Sequence, residues 1–281
     1  MDRAERIDFH GMPAIAWKSR DGAQAIATLQ GAHLVSWALP GGEEGLFLSE
    51  RSPFAAGRAI RGGIPVIFPQ FADLGPLAQH GFARTQAWRF LSARELEGRA
   101  QAVFELVPPA ATRALWPHDF RLELAATIGG SRLEVRLRVF NTGADAFSFT
   151  AALHTYLRVA DAARARVHGL RGVRYRIRGE DAAPIEDLEF VTASEPIDRT
   201  YYAPPPTLSL EDRDRGVRLE QEGFTDTVVW NPGREKASAM ADMGPDGYLR
   251  MLCIEAAAVE PAVRLEAGGE WSGVQSIEVV R

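Results

Sequence analysis

The stretch FRLELAATIGGSRLEVRLRVF, residues 120–140, decides the fold class. In its second half Leu133, Val135, Leu137 and Val139 fall on one side of an extended chain, with Glu134, Arg136 and Arg138 on the other. A period of two belongs to a strand with one face buried; a helix would repeat its apolar positions every three or four residues. The first half does the same, with Phe120, Leu122 and Leu124 alternating with Arg121 and Glu123. Between the halves Gly129–Gly130 reads as a two-residue hairpin turn, because glycine takes positive φ at little cost.

Further strand-like runs are found at 23–29, 34–39, 101–107, 146–153, 173–178, 216–221, 225–230, 248–255 and 275–280. No segment of about 12 residues or more carries a clean helical period. Many short strands divided by Gly, Pro, Asn and Asp read as an antiparallel sandwich or barrel. The chain has no internal repeat and no low-complexity linker. YYAPPPTL (201–208) is too short to separate domains and is expected to cross a surface or rim. Residues 1–281 are therefore expected to form a single domain.

Composition narrows the function. Of 281 residues, 46% are hydrophobic and 25% charged, which is ordinary for a globular protein. The net charge of −5 leaves no electrostatic footprint for nucleic acid. No apolar run approaches the ~20 residues of a membrane span, and the acidic N-terminus does not read as a secretory signal. One cysteine, Cys253, excludes an internal disulfide and fits a reducing, cytoplasmic setting.

Three segments read poorly as plain structure. Arg58 to Arg84 is long, aperiodic and rich in Gly and Pro, and it carries Arg58, Arg61, His80 and Arg84. Ordered loops of this kind are usually functional, and guanidinium forks match phosphate or carboxylate; the alternative is a packed crossover with surface arginines. In FSFTAALHTYLRV (147–159) one face would hold Phe147, Phe149, Ala151 and Leu153. The other would hold Ser148, Thr150, Ala152, His154 and Tyr156, a polar row without Lys, Glu or Arg that suits a groove wall. In the strand expected at 248–255, Glu255 shares a face with Leu249, Met251 and Cys253, where desolvation would raise its pKa; Glu260 is a rival carboxylate. No zinc-ligand spacing, nucleophile elbow or P-loop occurs. His10, His33 and His168 read as isolated, and Cys253 reads as a small buried hydrophobe. What is left is proton transfer between a histidine and a carboxylate.

RGGIPVIFPQF (61–71), QHGFAR (79–84), LHTYLRV (153–159), EPIDRTY (195–201), VVWNP (228–232) and MLCIEAA (251–257) occur in this order. Together they resemble the hexose-6-phosphate mutarotase branch of the aldose 1-epimerase superfamily. The resemblance implies an all-β antiparallel supersandwich of the galactose-mutarotase type with few short helices. It implies His154 as general acid and Glu255 as general base, working on the ring oxygen and the anomeric hydroxyl from opposite edges of a sugar. It implies Arg61, Gln79, Arg84 and Asp198 as substrate-binding residues, the two arginines holding the 6-phosphate, with His80 near the anomeric end or the ring oxygen. The activity implied is anomer interconversion of a hexose 6-phosphate with no cofactor and no metal, and with a bell-shaped pH dependence. The only partner expected is the phosphosugar, with no nucleic acid, no membrane and a monomeric chain. Two alternatives stand beside this: a non-catalytic carbohydrate-binding sandwich using Trp88, Trp116 and Trp230, and an aldose 1-epimerase of free hexoses. A glycosidase fits less well, for want of a pair of catalytic carboxylates.

Overall fold

The computed structural model describes residues 4–213 and 215–280. The opening hairpin pairs Phe120–Gly129 with Arg132–Asn141 in antiparallel register. Its inward row, Leu133, Val135, Leu137 and Val139, is fully buried. The turn itself lies one residue further on than expected. Gly129 pairs with Arg132, so Gly130 (φ +58) and Ser131 are the central residues. A glycine first and an ordinary residue second is the II′ pattern, which needs positive φ only once.

This hairpin lies within a nine-stranded antiparallel sheet, flanked on one side by Glu270–Val280 and Arg215–Glu222 and on the other by Arg99–Leu106 and Arg89–Leu96. A seven-stranded sheet faces it. Its path runs Tyr175–Ile177, Ile197–Tyr202, Asp226–Asn231, Met251–Leu265, Phe147–Leu153 and Val66–Ile67, and Tyr156–Arg158 also pairs with Met251–Leu265. The main core fills the space between the sheets: Phe104, Leu122, Leu137, Phe149, Leu153, Ile254 and Ile277 belong to one apolar cluster. Truncating any of these to alanine would cost about 2–5 kcal/mol. The segment after Tyr202 carries the chain from the smaller sheet to the larger one, as expected for YYAPPPTL.

Several elements depart from expectation, among them the strands Arg89–Leu96, Ile197–Tyr202 and Thr207–Asp212, which lie outside the runs read from the sequence. Ala4–Phe9 and Met12–Lys18 are strands of a separate four-stranded sheet, turning at His10–Gly11 with both φ positive, where the sequence pattern indicates no strand. Gly247–Arg250 is a 3-10 turn, so the strand expected at 248–255 begins at Met251 and continues to Leu265. The Arg58–Arg84 segment is largely interior. Val66–Ile67 joins the sheet beside Phe147–Leu153, and Ile64, Phe68 and Ala83 are fully buried. A Cβ on Gly62 or Gly63 would strike the carbonyl oxygens of Phe47 or Leu34, so this glycine pair serves the close approach of the protein's own backbone. Among the described residues, no helix is long and apolar enough to cross a membrane.

Candidate active site

Strand Met251–Leu265 is buried on both faces through Ala258. Leu252, Ile254, Ala256 and Ala258 face the main core, while Met251, Cys253 and Ala257 belong to a second apolar cluster on the opposite face. Glu255 falls on that second face. The register that pairs Leu153 with Ala256 and Tyr156 with Cys253 sets His154 opposite Glu255. Two residues far apart in sequence thus become cross-strand neighbours, whose Cβ atoms stand ~5 Å apart. His154 Nδ1 lies 3.3 Å from Glu255 Oε1.

Neighbouring strands complete the surface. Val228 pairs with Glu255, and Trp230 with Cys253; Asp198 pairs with Trp230. The His154 ring stacks on Tyr156 (4.8 Å between centroids, 7° apart) and meets Trp230 edge-on at 5.8 Å. Backbone bonds to the Gly-rich segment fix its height: His154 N–H donates to Pro65 O, and Tyr156 N–H to Gly63 O.

The result is a cavity of about 580 Å³ lined by Arg61, Gln79, His80, His154, Asp198 and Glu255, among others. That size suits a small ligand. Both expected catalytic residues therefore face it, as do four of the expected binding residues, Arg61, Gln79, His80 and Asp198; Arg84 does not. Arg84 is half-buried beside the wall and donates to the Gln79 carbonyl at 2.9 Å. Arg61 is held from three sides, by Asp242 Oδ2 at 3.0–3.1 Å, by the Tyr156 hydroxyl at 3.0 Å and through its own backbone N–H to Ser52. Glu260, the rival carboxylate, also borders the cavity, but it is exposed and ion-paired with Arg176 at 2.9 Å.

His80 answers a separate question, whether its loop serves structure or ligand. It serves both. His80 N–H donates to Ala72 O, and Ala72 N–H donates to His80 Nδ1. Gln70 ties the same loop through Ala72 O, Leu77 O and Leu77 N–H. With Nδ1 accepting, the ring proton belongs on Nε2. Burial, reinforced by Arg84, Arg178 and Arg61, holds the His80 pKa down at about 3. A neutral donor ringed by three guanidinium groups is an environment for an anion.

The electrostatics of the pair follow from burial. Desolvation pushes His154 well below the usual histidine range, with His80, Arg84 and Arg61 adding to it. Desolvation pushes Glu255 well above the carboxylate range, with Asp198 adding and Arg84 opposing. Asp198 is itself raised by burial. His154 is 7% exposed and Glu255 1%. Even so, His154 Nδ1 and Glu255 Oε2 have no hydrogen-bond partner among the described residues, so the 3.3 Å contact of Nδ1 with Oε1 lacks the alignment of a hydrogen bond. Buried polar atoms left unpaired are rare, and they cluster where a ligand completes them.

The aldose 1-epimerase family profile matches residues 13–278. The chain belongs to the aldose 1-epimerase family. It is 35% identical to a protein of Cenchrus ciliaris named "Putative glucose-6-phosphate 1-epimerase", over 96% of this chain and 85% of the relative. A protein of the same name from Escherichia coli K12 is 36% identical over 92% of this chain and 87% of its own length. The crystal structure titled "a putative mutarotase (YeaD) from Salmonella typhimurium" superposes with a TM-score of 0.89 at 31% identity, covering 99% of this chain and 94% of that one. The mostly antiparallel β architecture with few short helices, expected from the resemblance, is thus the architecture of a mutarotase-like relative.

Within this family member, the sequence motifs leave out Arg178 and Lys236, which line the cavity. Arg178 pairs with Asp73 at 3.0 Å, bridging the His80 loop to the segment after Tyr175–Ile177. Its surroundings in sequence, RIRGEDAAP, look like any charged surface turn. The chain offers no local signal that would single it out.

Proposed function

We propose that this aldose 1-epimerase family member interconverts the α and β anomers of a hexose 6-phosphate, with His154 as acid and Glu255 as base. The observation that carries the reading is the buried, adjacent and unpartnered pair at 3.3 Å. The anomeric hydroxyl and the ring oxygen are bonded to one carbon, so the groups serving them must be neighbours. The two side chains meet that requirement as an adjacent pair, rather than from opposite edges of the ring.

Glu255 takes the proton of the anomeric hydroxyl while His154 gives one to the ring oxygen. The bond from the anomeric carbon to the ring oxygen breaks, leaving the open aldehyde. Rotation about the next carbon–carbon bond presents the other carbonyl face, and closure returns both protons. The pair carries one mobile proton, which burial holds on Glu255 at rest; it passes to His154 to give the reactive carboxylate–imidazolium form, and the pair titrates as a unit. A second proton would charge a desolvated His154, so the acid limb of the rate falls below pH 6.5. Loss of the last proton would leave a desolvated Glu255 carboxylate, so the alkaline limb falls above pH 4.5. Burial therefore widens the bell from both sides.

The phosphate belongs near His80, among Arg61, Arg84 and Arg178. Arg61 and Arg178 line the cavity, and Arg84 adds its charge from behind Gln79. Asp198, Gln79 and Trp230 remain for hydroxyls and ring faces. NMR exchange between anomers of glucose 6-phosphate and of galactose, with and without protein, tests this. Faster exchange for the phosphosugar is expected. Equal acceleration of both sugars would point to a free-hexose epimerase, and no acceleration of either to a sugar-binding module.

A further inference from the structure

We propose that His154, Cys253 and Glu255 form a latent site for a thiophilic divalent cation of the zinc and cadmium class, which switches the acid–base pair off. Cys253 lies two residues before Glu255 on the same strand and on the same face, opposite Tyr156 and Trp230. One donor atom from each of the three residues lies within 4.8 Å of the other two, and all three residues are buried. The thiol is accompanied by a second, independent feature, the unpartnered Nδ1 of His154 and Oε2 of Glu255.

Nitrogen, sulfur and carboxylate oxygen together suit zinc or cadmium; magnesium and calcium call for oxygen donors in larger number. Metal–donor distances of about 2.0–2.3 Å put tetrahedral donors roughly 3.5 Å apart. His154 and Glu255 already stand 3.3 Å apart, so only the thiol has to close in. On binding, the thiol proton and the one mobile proton of the His154–Glu255 pair both leave to solvent, and thiolate plus carboxylate balance the two positive charges of the ion. The fourth position opens toward the cavity, where water or a sugar hydroxyl can sit. The bound ion occupies the lone pairs that proton transfer needs, so metal and turnover exclude each other. The off-switch rests on the proposed catalytic role of the pair; the binding site does not.

The test uses the full chain, freed of metal with a chelator and titrated with Cd²⁺. Because Cys253 is the single cysteine, a thiolate-to-cadmium absorption band reports that residue alone. One ion per chain is expected, with the band, a loss of anomer exchange, and recovery of exchange when chelator is added. Zn²⁺ should compete the band away and inhibit in the same manner. Cys253→Ser and Cys253→Ala should both keep metal-free exchange, show no band and resist inhibition; two variants guard against one that folds poorly. His154→Ala and Glu255→Gln should each weaken Cd²⁺ binding although the thiol is intact. Absence of the band, binding untouched by His154→Ala and Glu255→Gln, or undiminished inhibition of the Cys253 variants would each overturn the site. If the metal-free protein exchanged no anomers, the mutarotase reading would fail, while the band and its response to the four variants would still decide the site.

Discussion

His33 and His154 are both shut away from solvent, and both lean on the same Gly-rich segment from different sides. His33 Nε2 sits 2.7 Å from the carbonyl of Gly62, while the backbone N–H of His154 donates to Pro65 and its ring Nδ1 stays unpartnered. Burial pushes both pKa values down, His33 to about 4. Burial alone therefore does not mark a functional histidine. What separates them is that one ring has its polar partner inside the protein, and the other faces a cavity and a carboxylate with its partner missing.

The sharpest way to break this contrast is to remove the pair. His154→Ala and Glu255→Gln should each lower the anomer exchange rate by about 10²–10⁴-fold, the usual worth of a positioned proton transfer. The Glu255→Gln melting curve should stay near the parent's, since Oε2 has no hydrogen bond to lose, whereas His154→Ala also gives up its stacking on Tyr156 and should melt lower. A variant with near-full rate would strip that residue of its role.

His33 should behave in the opposite way. His33→Ala leaves the Gly62 carbonyl unpaired and opens a cavity, and about 3 kcal/mol of stability should go; exchange per folded molecule should fall far less than in His154→Ala. The group also makes the fold acid-sensitive. Its pKa is about 4 when folded against 6.5 when free, so the unfolded chain binds the proton more readily between those values. Stability is full above pH 6.5 and is lost as pH falls toward 4, by about 3 kcal/mol from this residue. Urea unfolding at pH 7 and pH 4.5 measures it, and a His33→Ala chain that lost as much stability as the parent on acidification would contradict the assignment.

Some of this is legible in the sequence, and the rest is hidden for physical reasons. Strands with one polar face, such as Arg132–Asn141, announce themselves by alternation, and the polar row that ends in His154 is visible for the same reason. Ala4–Phe9 escapes notice because both its faces mix apolar and charged residues, and Met12–Lys18 because it is apolar on both faces up to Lys18, so that neither strand alternates. The role of His33 is invisible, because its partner is a backbone carbonyl from a distant turn, and carbonyls carry no residue signature. Arg178 is hidden likewise, since the fold alone brings it to the His80 loop.

The smallest effect expected concerns the arginines, and it sharpens where the anion is read. The family resemblance puts Arg61 and Arg84 on the phosphate, so that Arg84→Ala would weaken hexose 6-phosphate far more than free hexose. In the fold Arg84 stands behind Gln79, whereas Arg178 lines the cavity and is held by a largely exposed Asp73. A phosphate dianion offers Arg178 more charge than one solvated carboxylate, so the guanidinium can change partners at little cost. Arg178→Ala should raise KM for the phosphosugar by roughly tenfold, the worth of one charge-assisted hydrogen bond, and leave free hexose nearly unchanged. Arg84→Ala should act more on the pair than on selectivity. Its charge lowers both His154 and Glu255, so its loss should move both limbs of the pH profile upward. Steady-state kinetics with both sugars across pH separates the two arginines: selectivity lost in Arg84→Ala and kept in Arg178→Ala would return the phosphate to Arg84.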